Sequence, residues 1–307
     1  MDELLRRGYT VRALARPSSR AAALEKRGVE IARGDILDGA SVERALTGCD
    51  LLFHAAAIYE LWAPDPQLLI RTEVTGTVNV LEAALRARTP RVVYTSTAAA
   101  VGERRGETGT EETPHRGYFL SVYEKAKYDA EVRARRFVEQ GLDLRIVQPA
   151  AVMGPGDLKP TGKGLLNALN GKFPLLFHGT LTGVDIRDAA LVHVLAAEKG
   201  EPGRAYIAAA WVVSTKQWLA AACRLAGKRA PLFGPAVLAK LFAAGGEAYG
   251  RLAKTEPLLS LETYRLLRHG FRVDGSRAAR ELGASYRAFD ESLRDAIAWY
   301  RDHGLIR

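Results

Sequence analysis

Cysteine is nearly absent: Cys49 and Cys223 are the only two in 307 residues, far apart and without a CxxC neighbour. That excludes a disulfide framework and a cysteine-based metal knuckle, and fits a reduced, cytoplasmic setting. Histidine is sparse too. Its six copies show no HxxxH or HxH spacing, so no metal is expected, and His54 reads as a packing residue at a strand end. No run reaches the roughly 18 uninterrupted apolar residues of a membrane span; the nearest, Pro235 to Ala244, is broken by Lys240. The first residues, MDELLRRG, are charged where a signal peptide would be apolar. Internal repeats and low-complexity tracts are missing as well.

What is present is an ordinary globular composition, 48% hydrophobic and 26% charged, with a net charge of +9. The arginines are interleaved with acids, as in DELLRRG and YDAEVRARRFVEQ, which is the pattern of solvated helix faces. Nucleic acid is therefore not the expected partner. An anionic small ligand or cofactor fits the positive balance better.

From residue 9 short apolar runs alternate with amphipathic stretches. The runs are YTVRALA, VEIARG, CDLLFHAAA, RVVYTSTAA and LDLRIVQP; between them lie RAAALEKR, GASVERAL, TEVTGTVNVLEAALRA and SVYEKAKYDAEVRARRFVEQ. Strands alternating with helices imply crossover connections and a parallel sheet, so the fold class is α/β, doubly wound. After Pro149 the rhythm loosens. PAAVMGPGDLKPTGKG reads as a loop, and helical stretches follow near 215–227, 235–253 and 290–302. We expect a dinucleotide-binding domain over 1–152, completed by a strand near 205–209, and a smaller, mostly helical substrate part over 153–307.

The chemistry concentrates in Thr95-Ser96-Thr97 and in Tyr123-Glu124-Lys125-Ala126-Lys127. Four residues apart on a helix, Tyr123 and Lys127 share a face. An ammonium beside a phenol favours the phenolate, which predicts a pKa lowered from about 10 toward the working pH. Such a group serves as a general acid or base. The Ser/Thr-rich segment stands at a strand's carboxyl end, where open parallel sheets collect their chemistry.

At this point the chain resembles the extended short-chain dehydrogenase/reductase family, close to its NAD-dependent epimerase/dehydratase group and to dihydroflavonol-reductase-like and hopanoid-associated sugar-epimerase-like members. The matching motifs are GDILD at 34–38, HAAA at 54–57, GTVNVLEAA at 76–84, TSTAAAVG at 95–102, YEKAK at 123–127 and PAAVMGPGD at 149–157. The resemblance implies Tyr123 as acid/base, Lys127 as the group that tunes it and holds the nicotinamide ribose, and Thr97 as the hydrogen-bonding partner of the substrate oxygen. It implies Asp35 and Ile36 beside the adenine, Ala55, Ala56 and Ala57 where backbone passes close to the dinucleotide, and Pro149 to Val152 against the nicotinamide. It also implies a homodimer formed by helices near 68–88 and 119–140.

Cofactor choice turns on Arg16. NAD-selective folds place an acid at the end of the second strand, whereas an Arg nearby accommodates a 2′-phosphate. Here LARPSS puts Ala15 where the acid would be and Arg16 next, with Ser18 and Ser19 as further donors, so NADP is expected, with NAD as the alternative. Tyr59 and Trp62 in IYELWAP are expected to stack on a flat or cyclic substrate, or else to be core or lid aromatics. Gln148 and Lys163 are expected to border the cleft.

Two departures from the family pattern stand out. Glu73 occupies the position of the family's usual Asn. The family's opening strand and GxxGxxG turn are also missing: the chain begins inside the helix that follows them, at a position equivalent to about 20 residues in. The missing strand would lie between those at 9–15 and 50–54, and its loss would leave two edges unpaired, each unsatisfied backbone group costing about 1–3 kcal/mol. We therefore expect that Met1 is not the natural start. The expected activity is reduction of a carbonyl, or oxidation of an alcohol, on a small polar or cyclic substrate. A nucleotide-sugar epimerase or dehydratase using the same residues, a non-catalytic cofactor sensor, and an inactive fragment are the alternatives.

Overall fold

The apolar runs of the first half become strands that all point the same way. In this computed structural model, which describes residues 1–173 and 176–306, β1 is Arg12–Ala15, β2 Glu30–Arg33, β3 Leu51–His54, β4 Arg91–Thr95 and β5 Leu144–Pro149. The helices are α1 Asp2–Arg6, α2 Ala22–Glu25, α3 Gly39–Leu46, α4 Pro66–Arg86 and α5 Val122–Glu139. Local chemistry sets their starts. The Asp38 side chain accepts from the backbone N–H groups of Ala40 and Ser41, Asp65 from Gln67 and Leu68, and Ser121 from Glu124, each supplying an acceptor to a first-turn donor that the helix itself cannot satisfy. Pro66 stands in the first turn of α4, where its missing N–H costs nothing.

The main sheet runs in the order β3-β4-β5-β8, with β8 at Ala205–Ala208, and every pair is parallel. Alternation along β4 decides what each face covers. Val92 and Tyr94 join Leu144 and Ile146 against Ala83, Ala84, Ala130 and Ala134 of α4 and α5. Val93 and Val147 face the other way, against Val192 and Ala196 of α7, Ile186–Lys199. Burial on both faces is what a central parallel strand requires. Gly76 on α4 has a packing reason: a Cβ there would stand 2.6 Å from Ile36 Cδ1.

Between β1 and β3 the sheet is interrupted. Among the described residues β1 hydrogen-bonds only to β2, and β3 only to β4. Leu14 and Leu52 nevertheless pack on the same core, beneath α3 and α4. Neither strand is buried as β4 and β5 are. This interval is where the resemblance puts a further strand.

The expected loop over 149–164 is instead structured. Ala151–Met153 forms β6, which pairs in parallel with β7, Thr180–Asp185, and α6 begins at Pro160 and runs to Leu169. Pro and Gly here punctuate the elements without preventing them, because Pro160 stands in the first turn and the Asp157 carboxylate accepts the Lys159 N–H just before it. β9, Trp211–Ser214, completes a three-stranded second sheet in the order β6-β7-β9. Around it lie α8 Thr215–Ala226, α9 Ala236–Ala253, α10 Leu261–His269 and α11 Phe289–Asp302.

Candidate active site

Because the strands of the main sheet are parallel, their carboxyl ends form one rim. Just past β4, Thr97 accepts a hydrogen bond from the Ala99 N–H at 3.3 Å and opens a 3-10 turn over Ala98–Val101. Tyr123 stands in the first turn of α5, and its phenol has Thr97 as a hydrogen-bonding neighbour. One turn on, Lys127 Nζ donates to the Thr95 carbonyl at 2.8 Å. The ring of Tyr59 lies 5.1 Å from that of Tyr123. Thr97, Tyr123, Lys127 and Tyr59 are thus brought together, whereas Trp62 stands half-buried on the adjoining loop.

Glu73 changes the electrostatics of this group. It is buried in α4, its Oε1 accepts the Ile58 N–H at 2.6 Å, and its Oε2 lies 3.2 Å from Lys127 Nζ. The Lys127 ammonium also sits 5.0 Å from the centre of the Tyr94 ring. His54 stacks on Tyr94 at 5.4 Å and meets Thr77 Oγ1 through Nε2 at 3.1 Å. Burial, with Lys127 adding to it, pushes the His54 pKa down to about 3, so this imidazole is neutral. Burial also works against charge on Lys127, but Tyr94, Glu73 and Tyr123 outweigh it and raise its pKa.

The expected lowering of the Tyr123 pKa is not what results. Lys127 does pull it down, as does Thr97, but burial raises it well above that of free tyrosine, with Tyr59 and Glu73 adding to the rise. The sequence places the amine and says nothing of the buried carboxylate opposite it. At neutral pH the phenol therefore carries its proton. Replacing Glu73 with Gln removes a negative charge that opposes the phenolate, a smaller contribution than burial, while the ammonium stays, so the Tyr123 midpoint is expected to fall. A ¹³Cζ-tyrosine NMR titration, with the resonance assigned by its loss in Tyr123→Phe, measures this directly; equal midpoints in the two proteins would refute the coupling.

Gln148, expected at the cleft border, is committed elsewhere. It shares a face of β5 with Ile146, two residues back, and so looks toward α5. Its Nε2 donates to both oxygens of Glu131, at 3.1 and 2.9 Å, and Glu131 also takes the Ser96 hydroxyl at 2.5 Å. This buried network anchors the Thr95–Thr97 segment to α5.

Along the rest of the rim, Ala55, Ala56 and Ala57 are exposed beyond β3, and Pro149 at the end of β5 and Val152 in β6 are half-buried. The Asp35 carboxylate accepts the Leu37 N–H at 2.9 Å. The Ile36 side chain belongs to the core, while its carbonyl accepts from Asn79 Nδ2 at 3.0 Å. Arg16 is exposed. Arg33, at the end of β2, donates to the carbonyls of Arg16 (3.2 Å) and Ser19 (3.0 Å), so its guanidinium lies against the loop that Arg16 opens. Arg33 was readable in principle, since it ends the strand paired with β1. Lys163 is held by Glu256 at 2.6 Å.

Residues 1–209 match the profile of the NAD dependent epimerase/dehydratase family. The chain belongs to this family. A putative dihydroflavonol 4-reductase of Synechocystis sp. is 33% identical to it over 99% of this chain and 91% of that protein. Sterol demethylase protein B of Methylococcus capsulatus is 34% identical over 99% and 94%. The crystal structure of gox2253 superposes with a TM-score of 0.87 at 32% identity, covering 100% of this chain and 94% of the other. Membership assigns the chain to nicotinamide-dependent reductases and epimerases.

Proposed function

We propose that this protein is an NADP-dependent reductase of a ketone or aldehyde on a small polar or cyclic substrate. The observation that carries the reading is the meeting of Thr97, a protonated Tyr123 and Lys127 at one rim, with Tyr59 alongside. A carbonyl oxygen between Thr97 and Tyr123 accepts two hydrogen bonds, and the phenol passes its proton to that oxygen as negative charge develops on it. Lys127, fixed by the Thr95 carbonyl and Glu73, orients the ribose and makes the phenol more acidic than burial alone would leave it. The nicotinamide, when bound, supplies the hydride.

The donor set fits the two ends of a dinucleotide. Tyr123 and Lys127 suit the nicotinamide ribose, Asp35 the adenosine side, and the bare Ala55–Ala57 segment a close backbone approach. Among the described residues no glycine-rich turn stands between those ends. Arg16 and Arg33 support NADP, since a guanidinium at the end of the second strand suits a 2′-phosphate. The homodimer of the resemblance stays part of the proposal, supported by the exposed Leu68 and Val132 on α4 and α5.

Substrate-dependent loss of NADPH absorbance across a panel of ketones and aldehydes tests the reading; interconversion of a sugar nucleotide with no net cofactor change would displace it. Arg16→Glu together with Arg33→Glu is expected to lower the NADPH-over-NADH preference in kcat/KM on the order of tenfold or more, the worth of one or two charge-assisted hydrogen bonds. An unchanged preference would remove both arginines from the site.

A further inference from the structure

Most of the exposed large apolar side chains among the described residues fall on α9 and its flanks. An ordinary surface helix turns its large apolar residues inward and its polar ones outward. Helix α9 reverses this. Its buried side is made of Ala239 and Ala243, packed with Phe177 and Leu259, and of Gly250. Its outward side carries Val237, Leu238, Leu241, Phe242, Tyr249 and Leu252, with Leu241 64%, Tyr249 68% and Leu252 86% exposed. At about 100° per residue these six share an arc of about 140°.

Positive charge follows one edge of the stripe and its ends. Lys240 and Arg251 lie along the same edge, and in sequence Arg229 precedes the helix and Lys254 follows it directly. The acids of the segment are already engaged, Glu247 with Arg251 and Glu256 with Lys163.

We propose that α9 is a membrane-surface helix that lies in the headgroup region of an anionic bilayer. A helix with a large apolar face and cationic borders inserts about 5–10 Å into that boundary and gains both apolar burial and attraction to acidic lipids. No helix among the described residues is long and apolar enough to cross a membrane, so α9 lies on the bilayer and does not span it. A second copy of the chain fits less well. Eighteen residues make a helix about 27 Å long, whose stripe of about 10 Å width offers roughly 270 Å², a third of the roughly 800 Å² per partner in a stable interface.

The consequence reaches the active site. Ser260, two residues past the exposed Leu258, donates to the Leu61 carbonyl at 2.7 Å, and Glu262 accepts the Val122 N–H at 3.1 Å. The α9–α10 hairpin is thereby tied to the loop that carries Tyr59 and Trp62 and to the first residue of the catalytic helix. Docking α9 brings that loop up to the lipid surface.

Co-sedimentation of the full chain with vesicles of 3:1 phosphatidylcholine and phosphatidylglycerol tests the proposal, with pure phosphatidylcholine vesicles as comparison. At least about a fivefold greater bound fraction on the anionic vesicles is expected, lost in Leu241→Glu/Leu252→Glu, whose side chains project into solvent and leave Tm unchanged. Equal sedimentation of the double variant would overturn it. So would a dimer, seen by light scattering without vesicles, that the double variant dissociates, since α9 would then be a self-interface. Binding is read without turnover, so this result is separate from the success or failure of the reductase reading.

Discussion

Tyr123→Phe is expected to lower kcat/KM for carbonyl reduction by about 10²–10⁴-fold, the usual contribution of a positioned general acid. The substitution removes one oxygen and keeps the ring, so packing against Leu69 and Ala126 persists. Loss of the hydrogen bond with Thr97 costs about 0.5–1.5 kcal/mol, too little to unfold the domain. Binding of NADPH, followed by fluorescence, is expected to stay within a few-fold of the parent, because the phenol supplies only one of several contacts. Full NADPH turnover in the variant would show that the proton comes from elsewhere. Losing activity and cofactor binding together would move Tyr123 from catalysis to cofactor support.

The second large effect concerns stability. Lys127 and Glu73 are both buried, with side-chain exposures of 2% and 0% and a separation of 3.2 Å. Removing only the ammonium leaves a carboxylate in a low-dielectric site with no counter-charge. Lys127→Met is therefore expected to destabilise the fold by about 3–5 kcal/mol and to lower Tm by on the order of 10 °C, besides abolishing turnover. Removing both charges, as in Lys127→Met/Glu73→Leu, is expected to restore most of that stability without restoring activity, since no charge is then stranded. Thermal melts of the two single variants and the double variant form the cycle that checks this. Purely additive destabilisation would mean that the two groups do not act as a pair.

Much of the site was legible in the sequence for local reasons. Tyr123 and Lys127 are four apart on one helix, and Thr97 follows an apolar strand, so the rim position of all three follows from periodicity and chain order. The pairing of Glu73 with Lys127 was not legible, because it depends on α4 and α5 packing closely through alanines that are distant in sequence. The sequence reading of Glu73 as a mere departure missed its role as counter-ion. Gln148 was misjudged for a related reason: its position at a strand end is sequence information, but the face it turns to Glu131 is a property of the sheet. The strand β6 and the start of α6 were hidden by the glycines and prolines around them, which mark boundaries as readily as they mark loops.

By itself the sequence determined the alternation of strands and helices, the capped starts of α3, α4 and α5, and the identity of the groups at the rim, since these follow from periodicities of two and 3.6 residues and from short-range hydrogen bonding. Only the tertiary structure decided which way the phenol's acidity moves and which side of α9 faces solvent. Charge–charge energies depend on how deeply the groups are buried, and the AVLAKLFAAGGEAYGRLA helix is apolar on both sides, so small alanines and glycines pack inward and the large side chains are left outside.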